Sequence, residues 1–125
     1  MNRKKPILII SAEPFSVFSE ILFKSFKNYK LKKPLVVLGS FKLLKDQMKY
    51  LNYNISFNNV EKNFDIKKLK LDKINLINVD FNFSKPFEKI SSRSYTYNEK
   101  SFQLALNLMK QNIFSGFING PISKK

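Results

Sequence analysis

Neither cysteine nor histidine occurs anywhere in this chain of 125 residues. Without cysteine there is no disulfide, no thiolate nucleophile and no sulfur ligand for a metal. Without histidine there is no imidazole base, no triad of the serine-hydrolase kind and no imidazole ligand. No pair of acidic residues stands at metal-binding spacing to replace them, so no catalytic residue and no metal ligand is assigned within the chain. Tryptophan is missing too, and the only glycines are Gly39, Gly116 and Gly120. None of them makes a G-x-G-x-x-G, a P-loop or a G-x-S-x-G. A nucleotide fingerprint on the first strand is thereby excluded. No apolar run reaches the roughly 18 residues of a membrane-crossing helix. The basic start, Met1 to Pro6, leads into an apolar run of only Ile7 to Ile10, too short for the core of an export signal. A cytoplasmic protein is the simplest expectation.

Arginine is nearly absent as well, with only Arg3 and Arg93. This matters because the net charge is +14, from 23 basic and 9 acidic residues. Such an excess raises the question of a nucleic acid or an anionic membrane as partner. Nucleic-acid readers favour arginine for its two-pronged contacts, whereas nearly all the positive charge here is lysine. The abundance of Lys, Asn, Ile and Phe, all residues of A/T-rich codons, reads as genomic bias. Solvated surface lysine is therefore preferred to a polyanion-binding patch.

What the chain does have is a regular alternation. Pro6–Ile10 reads as a buried parallel strand. Ser11–Pro14 is a loop, and Phe15, Phe18, Leu22 and Phe26, with Ile21 beside them, predict a helix face ending near Asn28. Such a stripe is core packing rather than a ligand box. Leu35–Leu38, closed by Gly39, is a second strand. Ser40 is placed to cap the helix carried by Phe41, Leu44, Met48 and Leu51. Residues 52–54 break that helix, and Ile55 and Phe57 mark a short third strand. Asn58-Asn59 reads as a turn, Lys67–Lys70 as a solvated charged run, and Ile74–Val79 as another strand. Asp80–Arg93 is irregular. Thr96-Tyr-Asn-Glu99 matches a capping box ahead of a helix with Phe102, Ala105, Leu106 and Met109 on its face. Gln111-Asn112 ends that helix, and Ile113–Ile118 is the last strand.

Strands alternating with helices predict an α/β fold: a doubly wound, mostly parallel sheet with helices on both faces. Residues 1–125 are read as one such domain. The strand ends at Ser11–Pro14 and at Asn119–Lys124 should then share one sheet edge, where folds of this type place their ligands.

Two segments carry a resemblance. Ser11-Ala12-Glu13-Pro14-Phe15-Ser16-Val17-Phe18-Ser19-Glu20 resembles the first loop of the 4-hydroxythreonine-4-phosphate dehydrogenases of pyridoxal phosphate biosynthesis. That loop reads Thr-x-Gly-Glu-Pro-Ala-Gly-Ile-Gly-Pro-Glu. Glu13, Pro14 and Glu20 match it, while its glycines are replaced. The second segment, a helix and strand running into Gly120-Pro121-Ile122-Ser123-Lys124, is similar to the family's Gly-Pro-Ile-x-Lys ending. Between them, Pro34-Leu-Val-Val-Leu-Gly39 stands where the family has a comparable strand.

The resemblance implies an isocitrate/isopropylmalate dehydrogenase-like fold, incomplete here, with residues 1–125 the amino-terminal part of a longer two-domain enzyme. It implies oxidation of 4-phosphooxy-L-threonine, a small phosphorylated hydroxy amino acid, to a β-keto acid that decarboxylates. It implies NAD or NADP, a divalent metal (Zn, Mg or Co) and a homodimer for the full-length parent. The family's His-Thr pair and metal-binding histidines lie beyond this chain's match, so the chain alone should bind neither cofactor nor metal and be inactive. The residues it suggests as lining a substrate or cofactor are Glu13, Asn119 and Lys124. Lys124 would pair with a phosphate or carboxylate; its alternative is a solvated lysine. Asn119 would contact a ligand or close the turn. Glu13 would orient a site residue or complement the dipole of the following helix. Phe15, Ser16 and Phe18 in place of small residues would reshape the first loop and with it the substrate. A different class of function, a small basic α/β module binding RNA or another polyanion, rests on the charge alone; a remnant without a ligand is the third reading. An isolated fragment with open sheet edges is expected to aggregate or stay molten.

Overall fold

A computed structural model describes residues 5–11, 13–88 and 92–119. Its elements, in order, are β1 (Ile7–Ile10), α1 (Phe18–Asn28), β2 (Leu35–Gly39), α2 (Phe41–Tyr50), β3 (Phe57–Asn59), a 3₁₀ turn (Ile66–Lys68), β4 (Ile74–Asn78), α3 (Ser92–Met109) and β5 (Gly116–Asn119). The five strands form one sheet in the order β3-β4-β2-β1-β5, every neighbouring pair parallel. The alternation of strand and helix thus gives the doubly wound α/β fold expected of it.

Strand faces alternate, so each strand feeds two cores. On one face Ile9, Val37, Ile74 and Leu76 pack with Leu22 and Phe23 of α1 and with Leu44 and Met48 of α2. On the other, Leu8, Ile10, Val36, Leu38 and Ile77 pack with Tyr97, Ala105 and Leu108 of α3. The central strands are buried on both sides, which explains their unbroken apolar runs. β5 differs: Phe117 and Ile118 are 40% and 50% exposed. Among the described residues no helix is long and apolar enough to cross a membrane.

Local signals hold in part. Ser40 caps α2, its hydroxyl accepting from the Leu43 amide at 3.2 Å. Asn52 (φ 66°) and Asn112 (φ 55°) sit in the left-handed region just past α2 and α3, where asparagine is tolerated better than most residues. Other expectations are corrected. α1 begins at Phe18 rather than Phe15, because the Ser16 hydroxyl accepts from the Phe18 amide and residues 13–17 turn first. Its buried face is Ser19, Leu22 and Phe23, whereas Ile21 points to solvent. Asn58 and Asn59 belong to β3, not a turn, because they pair in register with Asn75 and Leu76 of β4. Thr96–Glu99 is no capping box: α3 already starts at Ser92, so Thr96 lies inside the helix. Its packed face runs through Ser94, Tyr97, Ser101, Ala105 and Leu108, leaving Leu106 and Met109 exposed. The last strand is Gly116–Asn119, since Phe114 turns into the core before it.

Candidate functional site at the carboxyl edge

The register Ile10↔Asn119 brings the ends of β1 and β5 to one edge, and β2 and β4 end there as well. At its centre stands Tyr97, reaching in from α3. Its hydroxyl accepts from the Ser40 amide at 2.9 Å and shares a 2.8 Å hydrogen bond with the Ser11 hydroxyl. One phenol therefore ties the ends of β1 and β2 to α3. Gly39 leaves the room for it. A Cβ there would stand 3.1 Å from the Ser11 hydroxyl and 3.2 Å from that of Tyr97, tighter than packed atoms accept without shifting.

Burial pushes the Tyr97 hydroxyl up from 10.0 to about 12, against the opposing pull of its Ser11 and Ser40 hydrogen bonds. The fold therefore keeps a proton that the unfolded chain releases at lower pH. The resulting stability is complete below pH 10 and lost as pH rises toward 12, on the order of 2–3 kcal/mol. Tyr97→Phe should cost about 1–2 kcal/mol at neutral pH, since the Ser40 amide loses its acceptor. It should also remove this alkaline loss. Urea midpoints of the two proteins should converge above pH 10; parallel curves would contradict the assignment.

Beside this junction a cleft of about 920 Å³ opens over the ends of β2, β3 and β4. Phe41, Asn59, Asn78, Asp80, Phe81 and Phe83 are among the residues lining it. Asn78 organises its floor: its side-chain oxygen accepts from the Phe41 amide at 2.9 Å, and its nitrogen donates to Asp80 at 2.9 Å. A carboxylate is thus held near the positive end of α2, where it is favoured. One wall is aromatic, with Phe81 against Tyr97 at 4.8 Å, Phe15 at 5.5 Å and Phe83 at 6.2 Å.

Of the residues suggested by sequence, Glu13 is buried, and its carboxylate accepts from the Phe15 amide at 3.4 Å. It closes the turn ahead of α1 instead of capping the helix itself. Asn119 is exposed and is the last residue of β5, in the strand and not in a turn. Glu13 and Asn119 thus share the carboxyl edge. Lys124, with the whole Gly120–Lys124 segment, lies outside the described residues. Tyr97, Gln47 and Asn78 escaped the sequence reading. Gln47 had left a signal, a lone amide among the apolar positions Leu43, Leu44 and Met48 of α2.

Among the described residues no group of three or more acidic side chains gathers as a metal site would require. The first loop, packed through Phe15 onto Phe81, has the bulk of an aromatic where a pyrophosphate cradle needs bare backbone. The described residues therefore fit neither a metal ion nor a dinucleotide pyrophosphate.

No protein-family model and no curated protein sequence matches the chain. Solved structures do match. A 4-hydroxythreonine-4-phosphate dehydrogenase from Burkholderia phymatum superposes with a TM-score of 0.82 at 16% identity, over 98% of this chain and 38% of that one. The 4-hydroxythreonine-4-phosphate dehydrogenase from Klebsiella pneumoniae gives 0.81 at 16% identity, over 97% and 38%. The chain thus spans well under half the length of either, and at such identity the likeness speaks for fold. It has the fold of a 38% portion of a 4-hydroxythreonine-4-phosphate dehydrogenase.

Proposed function

We propose that residues 1–125 are the amino-terminal part of a dehydrogenase of the 4-hydroxythreonine-4-phosphate type. The observation that carries this is the agreement of two likenesses. One is the superposition over 98% of the chain. The other is the ordered match of Glu13-Pro14, the Leu35–Gly39 strand and Gly120-Pro121-Ile122-Ser123-Lys124. The bare side chains of Phe117 and Ile118, on the two faces of β5, suit a sheet that further chain would cover.

In this reading the substrate is a small phosphorylated hydroxy acid, with 4-phosphooxy-L-threonine the first to test, and the working enzyme is a homodimer. A divalent metal would supply Lewis acidity and NAD or NADP would accept the hydride; the ligands for both would come from outside the described residues. This chain's share is positioning. Lys124 offers a cation to the phosphate, Asn119 an exposed amide at the end of β5, and Glu13 a carboxylate that fixes the first loop. Phe15 and Phe18, where the family has small residues, narrow that loop, so the preferred substrate differs in the groups that reach it.

NADH formation from 4-phosphooxy-L-threonine with a divalent metal is the test. The longest polypeptide encoded by this reading frame should turn over, whereas residues 1–125 alone should not. Turnover by the 125-residue chain, or none by the longer polypeptide with any phosphorylated hydroxy acid, would overturn the reading.

A further inference from the structure

The side chain of Gln47 is fully buried in α2, yet it does little for the core. Its nitrogen donates twice, to the carbonyl of Pro14 at 2.8 Å and to that of Pro86 at 2.9 Å. Those carbonyls belong to different loops. The two acceptors fix which end of the amide is nitrogen, and its oxygen is left buried without a partner. A buried orphan acceptor is a cost that an apolar residue would not carry. Met or Leu at this position would complete the stripe of Leu43, Leu44 and Met48. An amide that is unfavourable for the helix but joins two loops points to a task outside the helix.

The segment it grips runs across the carboxyl edge. Asp80, Phe81, Asn82, Phe83 and Ser84 of this segment line the cleft. Its first end is anchored by Phe81 against Tyr97 and Phe15. Its middle is a closed turn, the Glu88 carboxylate accepting from the Ser84 and Lys85 amides. At its far end Phe87 touches Tyr50, itself a largely exposed ring, while the buried Gln47 holds the Pro86 carbonyl.

We propose that Gln47 is the latch of a strap, residues 80–88, fastening it and the first loop together so that one wall of the cleft stays closed. The proposal rests on this geometry and not on the dehydrogenase reading. When the latch opens, both carbonyls can turn to water, so opening is local.

Hydrogen exchange on the intact protein tests it. In the wild type, amides of residues 15–17 and 81–88 should open as one unit, before those of β1, β2 and β4. In Gln47→Met, protection over residues 81–88 should fall at least tenfold while that of β1, β2 and β4 is unchanged and the melting temperature barely moves. In Gln47→Glu the same loss should appear at neutral pH and be partly reversed in acid, where the neutral carboxyl regains one donor. Separate opening of the two segments in the wild type would overturn the latch. So would unchanged protection in Gln47→Met, or a loss spread evenly over the core strands.

Discussion

Replacing Asn75 by Leu is expected to cost about 3–5 kcal/mol of folding stability, although the two side chains are close in size. Asn75 is fully buried in β4. Its oxygen accepts from the Lys70 amide at 2.8 Å and the Asn58 side chain at 2.9 Å. Its nitrogen donates to the carbonyls of Leu35 at 2.9 Å and Lys70 at 2.8 Å. One amide thus joins β2, β3, β4 and the crossover before β4. Leu can replace none of these bonds, so several polar groups lose partners together, each at about 1–3 kcal/mol if water cannot reach it. The crossover will relax and recover some of this, which keeps the sum below the simple total. Urea denaturation checks it: the midpoint should fall sharply while the slope is kept. A loss under about 1 kcal/mol would mean that water already serves these groups.

Phe23→Ala is expected to cost a similar amount, about 3–5 kcal/mol. Phe23 is fully buried, in the core with Ile9, Val37 and Leu76, and its ring centre lies 5.8 Å from that of Tyr53. Removing the ring leaves a void between helix and sheet that the rigid strands cannot fill. The control lies two residues away. Ile21 is 56% exposed, so Ile21→Ala should stay within about 0.5 kcal/mol. Against a typical domain stability of about 5–15 kcal/mol, the first variant is near the limit of folding and the second is silent. Equal effects would mean that α1 turns a different face to the sheet.

These two residues also show what could be read beforehand. The order of strands and helices was legible, because four-residue apolar runs such as Ile7–Ile10 and Leu35–Leu38 fit buried parallel strands. The face of α1 was legible only approximately. Phe15, Phe18, Leu22 and Phe26 suggested a stripe, but Phe15 lies before the helix, and Phe23 is the ring at its centre. A run spaced by fours drifts around a helix of 3.6 residues per turn, so the buried line is not the line of largest residues. The helix α3 was expected, and Ala105 on its face with it, but the rest of that face was misread in the same way. Its packed face uses Ser94, Ser101 and Ala105, whose small side chains let the helix approach the sheet and leave little trace in an apolar pattern. The crossover before β4 was illegible because one Asn, not an apolar pattern, holds it. At the site, the shared edge of Ser11 and Asn119 followed from topology alone. Tyr97 and Gln47 did not, because their partners are backbone atoms of distant loops, such as Ser40 and Pro86.

The position of β1 between β2 and β5 sets an order of events during folding. Ile7 meets Leu35 of β2 after a loop of about 30 residues. Its other side waits for β5, which adjoins a hydrogen bond closing 109 residues, from Ser115 to Pro6. Closing the longer loop costs about 1 kcal/mol more in chain entropy, and on a ribosome β5 is also the last of these strands to emerge. A growing chain therefore exposes one whole side of β1, Ile7 to Ile10, until the other three strands of this sheet have been made. That side is the natural grip for a chaperone, and at high expression it is the surface through which two half-made chains would join.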